Sequence, residues 1–133
     1  MNATAFAMPP NASQPRFVDQ GATPDERTYA LFNHLTLVLF HLGVPLAAAI
    51  IMWIAKRKQS PFLDDHGREA VNFQISLLIY AIALVPLGLL TCTIGWLLYL
   101  PLYALAIYGC IMASIAANRG EYYRYPATIR LLS

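Results

Sequence analysis

The 49 residues from Ala70 to Asn118, AVNFQISLLIYAIALVPLGLLTCTIGWLLYLPLYALAIYGCIMASIAAN, contain no Asp, Glu, Lys or Arg. As one straight helix they would extend about 73 Å, far more than a ~30 Å hydrocarbon core. The stretch therefore divides into two spans, about 70–90 and about 96–117, joined by the uncharged turn Thr91-Cys92-Thr93-Ile94-Gly95. A second uncharged run, Leu31 to Ala55, holds 25 residues. At 1.5 Å per residue it reaches about 37 Å, enough to cross the bilayer with some tilt. Each of the three spans carries one proline (Pro45, Pro86 and Pro101), tolerated in lipid where neighbouring groups satisfy the freed carbonyl. The pattern predicts an all-α membrane protein, a three-helix transmembrane bundle.

The composition agrees. Of 133 residues 58% are hydrophobic and 12% charged, against about 25% charged in ordinary soluble chains. A soluble domain this small has too much surface to conceal such runs. A net charge of +2 is too small to suggest nucleic acid, so the partners expected are lipids and other membrane proteins. Cys92 and Cys110 are 18 residues apart and match no metal or redox spacing.

Outside the spans, residues 1–22 carry Pro9, Pro10 and Pro15 among small and polar residues, a composition that favours a disordered tail. The transmembrane domain is expected over 23–133. Thr23-Pro24-Asp25-Glu26 reads as a capping box with proline at the first helical position. Lys56-Arg57-Lys58 ends the first run. Asp64-Asp65-His66-Gly67-Arg68-Glu69 then predicts a short interfacial helix before the second span. Asn118-Arg119-Gly120 predicts a stop with a left-handed glycine, followed by an interfacial tail, 119–133. Lys56, Arg57, Lys58, Arg68, Arg119, Arg124 and Arg130 would share one side, against Arg16 and Arg27 on the other. The positive-inside rule then places the N-terminus outside and the C-terminus in the cytoplasm.

Polar residues inside the spans fall on lines. Asp65, Glu69, Asn72, Ser76 and Tyr80 follow steps of four and three, one face of a helix. With antiparallel neighbours, His41, Tyr80 and Tyr103 fall at similar depth and predict a buried polar cluster. Such groups serve either as a proton or ion pathway or as polar glue between helices. Small residues at four-residue steps, Gly43 and Ala47, then Gly109, Ala113 and Ala117, predict close helix approach. With His66 expected across the membrane from His34 and His41, no metal site assembles. No nucleophile is paired with a base, so neither an enzyme nor a cofactor is expected.

Several words of the sequence are more specific than its composition. Ser60-Pro61-Phe62, Asp65-His66-Gly67-Arg68-Glu69-Ala70, Asn72-Phe73-Gln74-Ile75-Ser76 and Gly120-Glu121-Tyr122-Tyr123-Arg124-Tyr125-Pro126 together resemble the bacterial Tic20-like family over about Tyr29 to Leu131. Asn72, Phe73, Gln74, Tyr125 and Pro126 are the motif positions. The family takes its name from a helical membrane component of the plastid protein-import translocon, and offers no catalytic residue to map. The resemblance implies a small inner-membrane protein of a bacterium, and because three helices bury little surface, contacts with itself or a larger complex are expected. The expected role is a translocation or assembly factor or an accessory subunit; the alternative is a small proton or ion transporter using the His41/Tyr80/Tyr103 cluster.

Overall fold

A computed structural model describes residues 16–42 and 46–133, apart from the side chains of 40–42. The chain order is α1 (Pro24–Leu35), a 3-10 segment (Thr36–Leu42), α2 (Ala47–Lys56), α3 (Pro61–Leu90), a second 3-10 segment (Ile94–Leu98) and α4 (Tyr99–Asn118). The described residues form no sheet, only one isolated bridge between Val18 and Glu121. The capping box is present: the Thr23 hydroxyl accepts from the Glu26 amide at 3.2 Å, and the Glu26 carboxylate accepts from the Thr23 amide at 2.7 Å. Hydrogen bonds from Ser60 and Thr23 hold the Glu26 carboxyl below its ordinary pKa. Ser60 caps α3 in the same way, with Pro61 in its first turn.

Two helical stretches are long and apolar enough to cross a membrane, Pro61–Leu90 and Ile94–Asn118. At 30 residues, α3 would measure about 45 Å, so its first ten residues extend beyond a ~30 Å core. The expected interfacial helix is therefore the opening of α3 itself. Pro86 lies inside α3, and Pro101 falls in the first turn of α4, just after the 3-10 segment that leads into it.

The expected single span over 31–55 is not one helix. It breaks into α1, the 3-10 segment and α2, and these fold back antiparallel. The Tyr29 hydroxyl, early in α1, donates to the Met52 carbonyl near the end of α2 at 2.8 Å. The Lys56 ammonium lies 5.3 Å from the centre of the Tyr29 ring. The physical reason is tertiary: an uncharged run is equally compatible with crossing and with returning, and the contacts of α1 and α2 with α3 select the return. Pro45 and Gly43 lie outside the described residues, and Ala47 opens α2 exposed.

The core lies between α1, α3 and α4. Leu37, Phe73, Leu77, Cys110, Ala113, Ala116, Tyr123 and Tyr125 form one cluster, and Ala22, Ala30, Phe62, Leu63 and Ala117 a second. Ala113 and Ala117 are fully buried, and a methyl added at Gly109 would come within 2.7 Å of Phe73 Cζ. Gly120 ends α4 with φ +73, and the Glu121 amide closes back on the Ala116 carbonyl at 2.9 Å.

The N-terminal segment then decides the arrangement of charge. The Asp19 amide donates to the Gly120 carbonyl at 2.8 Å, the Tyr122 amide to Phe17 at 2.9 Å, and Arg16 pairs with Glu121 at 3.3 Å. Residues 16–22 of the expected tail thus pack beside the end of α4, while 1–15 lie outside the described residues. Arg16 and Arg27 sit at the same end as the other seven basic residues, not across from them. Every Lys, Arg, Asp and Glu of the chain gathers at the end formed by the start of α3 and the finish of α4.

Candidate functional site

The polar line on α3 is covered by the chain's own C-terminus. After Glu121 the tail descends along α3, reverses at Pro126-Ala127, where Ala127 adopts φ +55, and climbs back. Arg124 places its guanidinium on both carboxylate oxygens of Asp65 at 2.7 Å, the planar two-point geometry that makes such pairs strong; this bond to Asp65 raises its pKa further. Glu69, nearly buried, receives Arg130 at 3.0 Å and the Tyr125 amide at 3.4 Å. Asn72, 1% exposed, accepts from the amides of Leu131 and Leu132 at 3.1 and 2.9 Å and donates to the Leu132 carbonyl at 2.9 Å. The Ser76 hydroxyl accepts from the Ile129 amide at 2.8 Å and donates to the Asn72 carbonyl at 2.7 Å. The Tyr80 hydroxyl donates to the Ala127 carbonyl at 2.6 Å. Below the charged end, α3 reads mostly main-chain atoms of the tail. These bonds satisfy tail main-chain groups that no helix or sheet ladder pairs.

Behind the tail lies a buried histidine pair. The His66 Nε2 is 3.1 Å from the Glu121 carbonyl, His66 Nδ1 is 2.8 Å from His34 Nε2, and His34 Nδ1 is 2.8 Å from the Tyr125 hydroxyl. A carbonyl only accepts, so the Glu121 end fixes every proton when both rings are neutral. His66 carries its proton on Nε2, His34 donates from Nε2 to His66 Nδ1, and Tyr125 donates to His34 Nδ1. Both rings are fully buried. Burial, with His66 beside it, holds the His34 imidazole well below its ordinary pKa, and burial pushes Tyr125 well above its own. Tyr122, donating to Asp19 at 2.9 Å, is pushed up to about 12 by burial and that bond. Phe62 packs on His66 at 4.4 Å, and Phe73 stacks on Tyr125 at 3.9 Å.

The expected His41/Tyr80/Tyr103 cluster meets a different distribution. Tyr80 holds the tail, Tyr103 lines an apolar groove, and the His41 side chain lies outside the described residues. The pair His34–His66 forms a buried polar contact of its own. Placing the N-terminus across the membrane separates these two histidines; counting Arg16 and Arg27 with the other basic residues would have brought them to one depth. Among the described residues no group of three His, Cys, Asp or Glu is placed to hold a metal.

The groove has a volume of about 680 Å³ and lies between α3 and α4, with Leu35, Leu37 and Val38 on its α1 side. Leu37, Leu77 and Cys110 are its buried lining, and Val38, Leu100 and Ile107 its exposed rim. Ala81 and Ala106 leave its wall low.

Compared with known proteins, residues 25–132 match the MamF/MmsF family, described as the magnetosome magnetite crystal formation protein family. The match covers most of the sequence, and the chain belongs to that family. It replaces the Tic20-like assignment, whose motif words lie within the same residues. No curated protein and no solved structure matches the chain.

Proposed function

From membership of a magnetosome crystal-formation family, we propose that the chain is a non-catalytic protein of a bacterial membrane that acts through contacts with another membrane protein. In this reading it is an assembly factor or accessory subunit where the crystal forms. The observation that carries it is the groove of about 680 Å³ between α3 and α4. It lies at hydrocarbon depth, so its occupant is apolar. Its small wall residues Ala81, Ala106 and Cys110 suit the close approach of a helix backbone, which drives association in lipid. A partner's transmembrane helix is the occupant proposed.

With all nine Lys and Arg at one end, the positive-inside rule favours that end in the cytoplasm, and with it both residue 16 and the C-terminal tail. A proton or ion path has less support. The oriented chain from Tyr125 through His34 and His66 stops on the Glu121 carbonyl, and the groove residues that follow towards the far end are almost all apolar.

The test is capture of the full chain in mild detergent from its native membrane, beside Ala106→Trp, which fills the groove. A defined membrane protein recovered with the wild type and lost with A106W is the expected result. Recovery of the chain alone, or of the same partner with A106W, overturns the proposal.

A further inference from the structure

The helices that cross the membrane and those that return divide the molecule unequally between leaflets. If the core begins near Ala70, its middle falls about ten residues on, near Tyr80, at ~1.5 Å per residue in a ~30 Å core. Among the described residues, apart from α3, α4, the 3-10 segment Ile94–Leu98 and the end of the α1–α2 hairpin beyond Val38, the chain stops at about that level. The tail reaches its deepest contact at Tyr80, through Ala127, and returns. From the α1–α2 hairpin, Leu37 and Val38 share a groove with Leu77 and Ala81. In the half holding the charged end, α1, α2, two passes of the tail and the segment 16–23 surround α3 and α4. In the other half, among the described residues, only the 3-10 segment Ile94–Leu98 and the end of the hairpin beyond Val38 join them. There Ile82, Leu89, Leu90, Leu97 and Leu100 are exposed.

We infer that this chain is a membrane wedge: it expands the leaflet at its charged end and so binds preferentially in, and stabilises, a bilayer convex on that side. Matter inserted into one leaflet alone makes binding depend on curvature. The charged rim holds the wedge upright, because Asp65, Glu69, Arg124 and Arg130 are tied together there and cannot enter hydrocarbon cheaply. The ligand is therefore the lipid surface itself, identified by its shape rather than by a headgroup.

The chain carries its own reporter. Cys92 is exposed in the turn at the far end, and Cys110 is buried. Wild-type protein is reconstituted from detergent at low density into vesicles of one neutral lipid composition, either small and sonicated or large and extruded. A membrane-impermeant maleimide reads Cys92, and carboxypeptidase digestion of the tail independently reads the charged end. The ratio of molecules with the charged end outward to those with it inward should rise roughly twofold or more in the small vesicles, as expected for a population shifted by differential affinity. An equal ratio at both sizes, or a ratio that falls, in protein shown to be helical and intact, overturns the proposal. The measurement needs no variant to fold and contains no partner protein, so its failure leaves the docking role of the groove standing.

Discussion

Replacing Asn72 by alanine tests whether α3 holds the tail through its main chain. The side chain makes three hydrogen bonds, two accepted from the Leu131 and Leu132 amides and one donated to the Leu132 carbonyl. Each such bond contributes about 1 kcal/mol net, and a buried group left unpaired costs about 1–3 kcal/mol. The tail is mostly exposed and ends near the charged rim, so its freed groups reach water once it lifts, and the loss lies near the sum of the three bonds. About 3 kcal/mol corresponds to exchange of the Leu131 and Leu132 amides faster on the order of 100-fold. Hydrogen exchange of the detergent-solubilised protein, read on the C-terminal peptide, measures this directly. Amides within α3 beyond Tyr80 serve as the internal reference and should keep their rates. If the C-terminal amides change by less than about threefold, α3 is not what holds the tail. If the α3 amides accelerate equally, the substitution unfolds the helix pair and the tail was never a separate unit.

Acid should destabilise the protein through the histidine pair. The folded His34 binds a proton far less readily than an unfolded one, so its contribution is complete above the ordinary histidine value of about 6.5 and declines as pH falls below it. Thermal unfolding in detergent should show that decline, and His34→Gln should flatten it; an unchanged slope in H34Q would remove His34 from the account. Tyr125→Phe leaves the ring stacked on Phe73 but strands His34 Nδ1. It should cost about 1–3 kcal/mol by equilibrium unfolding, and a cost near zero would mean the hydroxyl is not a partner. At Gly67 an added methyl would approach Trp53 Cγ to 2.7 Å, so Gly67→Ala should displace the indole from Asp64, to which it donates at 2.8 Å. The expected signs are a shift in the fluorescence assigned to Trp53 and a loss of about 1–3 kcal/mol; emission identical to wild type would refute the contact.

Much of this architecture is written locally. The uncharged run Ala70–Asn118 determines two long helices by length and polarity alone, and Thr23, Glu26 and Gly120 announce ends that depend only on nearby main-chain groups. The line Asp65, Glu69, Asn72, Ser76, Tyr80 is legible for the same reason, since helical periodicity records which face is polar. Periodicity carries no record of what covers that face, and only the tertiary structure supplies the returning tail. The return of Leu31–Ala55 is invisible for a related reason: an apolar run is at ease in lipid whether it crosses or turns back, so the packing of α1 and α2 on α3 makes the choice. That choice moves Arg16 and Arg27 to the end where the other charges lie, and brings His34 to His66. Sequence by itself determined that this is a helical membrane protein with a polar seam. The fold decided which residues close the seam, and that all the charge stands at one end, because both depend on contacts between segments far apart in the chain.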